Sequence, residues 1–193
     1  MKLAGELTKK EIEEYIKEYE QSWNEKDKKT FANINSELLK NRFLKNNEQL
    51  YEVAYWKTHR KSKIVKNEEN NPDKIVKDVT ELALKITNDE YNEKYKIRIL
   101  CSLDGIGIPR ASVILTMSNP DEYGIIDFYA WLALTGKEKI VFNENDWINY
   151  LKQIKGLAKK HGKTPRQIDM ALMKYGQRLK SESKSVSSNI TKR

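Results

Sequence analysis

Apolar residues recur along this chain at intervals of three and four, the spacing that lines one face of an α-helix. Ile12, Tyr15, Ile16, Tyr19 and Trp23 follow it, behind a capping box formed by Thr8 and Glu11, so residues 8–23 are predicted to be helical. Phe31, Ile34, Leu38 and Leu39 predict a second helix over 28–43, and Leu50, Val53, Ala54 and Trp56 a third over 47–59. Residues 61–71 (KSKIVKNEENN) read as a loop. Asn71 as cap and Pro72 in the first turn then open a fourth helix, with Ile75, Val76, Val79, Leu82, Ala83 and Ile86 on one face. Phe128, Trp131, Leu132 and Leu134 mark a helix that Gly136 ends. Asn145 and Asp146 cap another, carrying Ile148, Leu151, Ile154, Leu157 and Ala158 and closed by Gly162. Thr164, Pro165 and Gln167 make a second capping box ahead of Ile168, Ala171, Leu172 and Tyr175. No sustained apolar–polar alternation is present, so no sheet is expected; Lys139–Phe142 alone reads as extended. After Lys180 the chain has almost nothing to bury, and residues 181–193 are expected to be a disordered tail.

The most informative stretch is Leu100–Asp127, LCSLDGIGIPRASVILTMSNPDEYGIID. Leu100 and Leu103 precede the turn Gly105-Ile106-Gly107, and Ala111, Ile114 and Leu115 follow it at helical spacing. The two glycines suit a tight turn, including one with positive φ, and Ile106 between them is placed to plug into a core. Pro109 fits the first turn of the second helix, where an N–H is not needed. The free amides at that helix start form an anion site, for which phosphate is the expected anion.

These residues resemble the helix-hairpin-helix DNA-binding motif, matched over 96–118 by the apolar flanks, both glycines and the small Ala111. Beyond it, the turn-rich loop 119–127 ends at Asp127, 22 positions after Gly105 (127 minus 105). That spacing is similar to the helix-hairpin-helix base-excision DNA glycosylases. The resemblance covers about 30 residues. It implies an all-α fold of two helical lobes around the hairpin, spanning residues 1–180, with duplex DNA as the partner of a monomeric protein. It implies phosphate contacts by Gly105, Ile106, Gly107, Ile108 and Arg110, and a catalytic role for Asp127, whose carboxylate would stabilise a cation-like sugar as the base leaves.

Two positions depart from the family. Strand-cleaving members carry a lysine two positions after the second glycine, where this chain has Pro109. Any excision is therefore expected to be monofunctional, without a Schiff base formed there. Phe128-Tyr129-Ala130-Trp131 stands where many members have a Thr-His type of sequence. Asp127 also reads as a plain helix N-cap. The reading set against the enzyme is thus a helix-hairpin-helix DNA-binding protein that has lost the chemistry. A third is a helical interaction protein whose hairpin is purely structural.

Charge sharpens the picture. The 193 residues carry 36 basic and 28 acidic side chains, a net +8, which biases the protein toward a polyanion. The single cysteine, Cys101, excludes an internal disulfide and a four-cysteine iron–sulfur cluster, and reads as a core side chain. No apolar leader or membrane span is evident, so the expected location is cytoplasmic. No cofactor is expected, and no metal, because His59 and His161 lack ligand spacing and read as surface histidines. In the segment from Tyr55 to Lys61, Arg60 and Lys61 are candidate DNA contacts. Trp56 there reads as a buried residue at a helix end, with Lys57 facing the C-terminal dipole. Lys159, Lys160, Lys163 and Arg166 read as a basic cluster at a turn.

Overall fold

A computed structural model of the chain describes residues 2–87 and 90–190, and the regular structure in them is helical throughout. A 3₁₀ turn at Ala4–Glu6 leads into α1 (Lys9–Gln21), α2 (Glu25–Asn41), α3 (Asn47–Thr58) and the single turn α4 (Lys63–Lys66). Then follow α5 (Asp73–Lys85), α6 (Glu90–Leu100), α7 (Ile108–Ser118), α8 (Phe128–Thr135), α9 (Glu144–His161) and α10 (Pro165–Ile190). No helix among the described residues is long and apolar enough to cross a membrane.

The centre is α7, which is buried from Ala111 through Ser118. Its polar side chains are satisfied internally: the hydroxyls of Ser112, Thr116 and Ser118 donate to the carbonyls of Pro109, Ser112 and Leu115. Around α7 lie α2, α3 and α6. The long α10 packs against α1, α8 and α9. Trp147 and Tyr150 of α9, fully buried, are the largest core side chains.

Helix ends follow the local chemistry. Thr8 and Glu11 cap α1 reciprocally, Gly136 and Gly162 close α8 and α9 in the left-handed region, and Thr164 and Gln167 cap the start of α10 reciprocally. Several expectations are corrected. Residues 63–66 are a helical turn inside the expected loop, begun by Ser62, whose hydroxyl accepts from Val65 N–H. Asn71 does not cap α5. It is buried, and its side-chain amide pairs with both the N–H and the C=O of Asp104, so it staples the α6–α7 turn. On α5, Ile75 and Leu82 are exposed and the buried stripe runs through Val76, Thr80, Ala83 and Leu84. The cap of α9 is Asn143, paired with Asp146 in a capping box, two residues earlier than the sequence suggested. Lys139–Phe142 forms no strand.

The greatest difference is at the C-terminal end. The backbone of α10 stays helical to Ile190, where a disordered tail from 181 was expected; residues 191–193 lie outside the described residues. Among the described side chains, Leu179 is the last that is deeply buried. Around it, Arg178 and Glu182 pair one turn apart at 3.1 Å, and Lys180 pairs with Glu138. Exposed pairs of this kind extend a helix that packing has already nucleated.

Candidate active site

The segment that carries Asp127 is held from three sides. Tyr150 O–H donates to the Ile125 carbonyl at 2.8 Å, and the Ile125 N–H donates to Asp169 Oδ2 at 2.7 Å. One residue on, the Ile126 N–H donates to Ser112 Oγ of α7 at 3.2 Å. Gly124 admits this close approach: a Cβ there would stand 2.7 Å from Ile154 Cδ1 and 2.8 Å from the Pro165 carbonyl oxygen. Asp127 then begins α8. Its Oδ1 accepts the Ala130 N–H at 2.8 Å, the N-cap bond, and its Oδ2 accepts from Lys57 Nζ at 3.0 Å. Both side chains of this ion pair are largely buried, with 13% of Lys57 and 17% of Asp127 exposed.

Beside the pair opens a cavity of about 200 Å³, lined from α1 by Tyr19 and just beyond its end by Trp23, from α3 by Trp56 and Lys57, and from α10 by Arg166, Asp169 and Met173. Arg166, assigned to a surface cluster by sequence, is in fact 5% exposed. Its guanidinium faces the rings of Tyr19, Trp23, Phe31 and Trp56 at 5.1–5.7 Å. It donates to Asp169 Oδ1 at 2.6 Å and to the Tyr19 hydroxyl at 3.0 Å. Burial works against its charge, but Asp169 and Tyr19 more than offset this and hold the guanidinium protonated. Burial pushes the Asp169 carboxyl up to about 6, against the pull of Arg166 and the Ile125 amide. The aromatic cage is itself cross-braced: Trp23 meets Trp56 edge-on at 5.4 Å, and the Trp56 indole N–H donates to the Asp27 carbonyl.

The α6–α7 turn is built as its sequence suggests in part. Gly105 has φ +76°, and a Cβ there would also press on Val65 Cγ2 at 2.8 Å. Gly107 has φ −91°, so only the first glycine needs the left-handed region, and a Cβ on Gly107 would meet only Pro109 Cδ, at 4.0 Å. Ile106 and Ile108 are buried, so their side chains are withdrawn from a ligand, and the Ile106 N–H is already donated to the Leu103 carbonyl at 3.0 Å. Arg110 Nη1 donates back to the Gly105 carbonyl at 2.6 Å and stiffens the turn.

The stretch from 57 to 65 joins the two places. Lys57 reaches Asp127, His59 ends α3 in the left-handed region at φ 52°, Arg60 and Lys61 are exposed, and Val65 rests on Gly105. Lys61 also borders a groove with Lys26, Tyr51 and Tyr55 that shares Trp56 and Asp27 with the cavity. His59 is exposed, with Nε2 3.1 Å from the Asp27 carboxylate. His161, by contrast, is buried rather than superficial; its Nε2 has no hydrogen-bond partner, and burial lowers its pKa. Cys101 is half-buried, its thiol pushed up to about 11 by burial. No group of three metal-ligating side chains occurs among the described residues.

Sequence reading missed Lys57, Arg166 and Asp169 as parts of one site. The only local signal was the three-residue spacing of Arg166 and Asp169 on one helix face; the 57–127 contact is a property of the tertiary fold. No protein-family model, curated protein or solved structure matches this chain.

Proposed function

We propose that this protein binds duplex DNA through the α6–α7 turn and receives an extrahelical base in the aromatic cavity, as a two-lobed helix-hairpin-helix base-excision glycosylase would. One observation carries the reading: Asp127 stands on the wall of a cavity that Tyr19, Trp23 and Trp56 line together with Lys57, Arg166 and Asp169. Aromatic faces take a planar base by stacking. A carboxylate on that wall would stabilise the positive charge that grows on the sugar as the base departs. The α6–α7 turn, uncrowded at Gly107, offers the backbone amides at the start of α7 to a phosphate. Arg60 and Lys61, exposed between the turn and the cavity, add sequence-independent charge contacts.

The test is incubation of the protein with duplexes that each carry one damaged or mismatched base, followed by alkaline cleavage of abasic sites. Base release from one duplex of the panel supports the enzyme, and binding without release from any supports the second reading. That second reading is a DNA-binding protein without chemistry. It is favoured by the occupation of both Asp127 oxygens, one by the helix cap and one by Lys57.

A further inference from the structure

We propose that a second copy of this chain docks on the solvent-facing apolar stripe of α5, so that two copies pair through antiparallel α5 helices. The proposal is independent of the DNA reading and of the aromatic cavity, none of whose lining residues is on α5. It differs from the monomer that the family resemblance implies.

Two apolar faces run along α5. Val76, Ala83 and Leu84, with Thr80, are buried against the rest of the chain. Ile75, Val79, Leu82 and Ile86, the C-cap, recur at intervals of four, three and four. That spacing brings them into one line, about 115° round the helix from the buried stripe. Ile75 is 47% and Leu82 57% exposed, and Val79 and Ile86 are half-buried. The line is about 16 Å long and has the spacing of a short coiled-coil seam. Single exposed apolar residues need no partner, but four in line mark an interaction face.

Charge selects both the occupant and its direction. The chain as a whole carries +8, so two copies repel one another over most of their surface. On α5 the charges cancel: Asp73, Asp78 and Glu81 stand against Lys74, Lys77 and Lys85. A strongly charged partner would select a face of one sign, and this face has none. Beside the seam Asp78 pairs with Lys74, and Lys85 pairs with Glu81 at 2.7 Å, each one turn apart. A two-fold axis level with Thr80 and Glu81 sets Ile75 against Ile86 of the second copy and Val79 against Leu82 of the second copy. Symmetry repeats each contact. In that register Asp78 lies beside Lys85 of the second copy, and the two intrachain pairs join into a line of four alternating charges, twice over. Parallel pairing gives no such match, because Asp78 then faces Ala83 of the second copy.

The experiment is sedimentation velocity of the full chain, without DNA, over a concentration range of about 1 μM to about 1 mM. Wild type is expected to pass from the mass of one chain to that of two. Leu82→Glu puts a charge in the middle of the seam, at a side chain that is exposed in the single copy. It is expected to stay monomeric throughout, with the wild-type melting temperature at the lowest concentration. Lys85→Glu sets like charges together at both symmetric contacts and is expected to weaken pairing roughly tenfold. Adding Asp78→Lys to it reverses the pair and is expected to restore the wild-type affinity, which damage to α5 alone would not do. Circular dichroism of each variant confirms that the comparison is between folded proteins, and the charge reversal decides the matter without Leu82→Glu. A wild type that stays monomeric, assembly beyond two copies, a dimer that survives in folded Leu82→Glu, or a Lys85→Glu defect that Asp78→Lys does not repair overturns the proposal.

Discussion

Gly176 of α10 lies against the backbone of Tyr129 on α8, so close that a Cβ on Gly176 would stand 2.0 Å from the Tyr129 carbonyl oxygen. No side chain fits between two helices at that distance. The contact sets the separation of α8, which Asp127 begins, from α10, which carries Arg166 and Asp169. Gly176→Ala is therefore expected to push α8 away. The cost is about 1–3 kcal/mol or more by the measure of overpacked cores, read as a fall in the denaturant midpoint. Disruption of the Asp127–Lys57 geometry should follow. An unchanged midpoint would show that α8 and α10 separate without penalty.

Asp169 gives a pH signature. Its folded carboxyl titrates near 6, above the ordinary value of 3.8, because burial disfavours its charge. Between these values the folded chain holds a proton that the unfolded chain has released. The contribution of this group to stability is therefore complete below 3.8 and disappears as pH rises through about 6. The stability difference between wild type and Asp169→Asn, followed by denaturant titration, should move in favour of wild type as pH falls from about 6 to about 4. A difference that is flat over that window would mean the Arg166 pair keeps Asp169 ionised throughout.

The α6–α7 turn separates fold from binding. Gly105→Ala meets both a positive φ and Val65, and should lower stability by about 1 kcal/mol or more. Gly107 has ordinary φ and an added Cβ would only touch Pro109 Cδ at 4.0 Å, so Gly107→Val should cost no more than the loss of a good N-cap, about 1 kcal/mol, yet cover the amides that the proposed function offers to phosphate. Duplex affinity of Gly107→Val should fall, and the slope of log K against log salt should shrink by roughly 0.9 for each phosphate the variant no longer neutralises. Equal affinity in the two proteins would sink the phosphate role of this turn.

The helices were legible because their signals are local. Thr8 and Glu11, or Gly136 and Gly162, act within one turn of themselves, and their spacing is visible in the sequence. Asp127 at the head of α8 was legible for the same reason. What failed was partnership across the chain. Arg166 looks like one more cation beside Lys159, Lys160 and Lys163. Only the folding of α1, α2 and α3 over it brings four aromatic rings to its guanidinium. Asn71 looks like a helix cap until Asp104 arrives from 33 residues away. On α5, two apolar stripes compete, and packing against α6 rather than periodicity chooses between them.

Asp127 caps α8, and the proposed function gives it a second role; substitutions divide the two. Asparagine keeps an oxygen for the Ala130 N–H, so Asp127→Asn should preserve the cap of α8 and cost little stability through that bond. Alanine removes the cap, a cost of about 1 kcal/mol, and leaves the Lys57 ammonium without its carboxylate partner in a largely buried place. Asp127→Ala is thus expected to melt below Asp127→Asn. Under the proposed function excision behaves differently: both variants lack the negative charge assigned to stabilise the cation-like sugar, so both should lose base release while the asparagine variant retains duplex affinity. The measurement is a matched set of melting temperature, affinity and excision rate for wild type and the two variants. If excision persists in Asp127→Asn, the carboxylate serves as cap and Lys57 partner only, and the stabilising charge must come from another group.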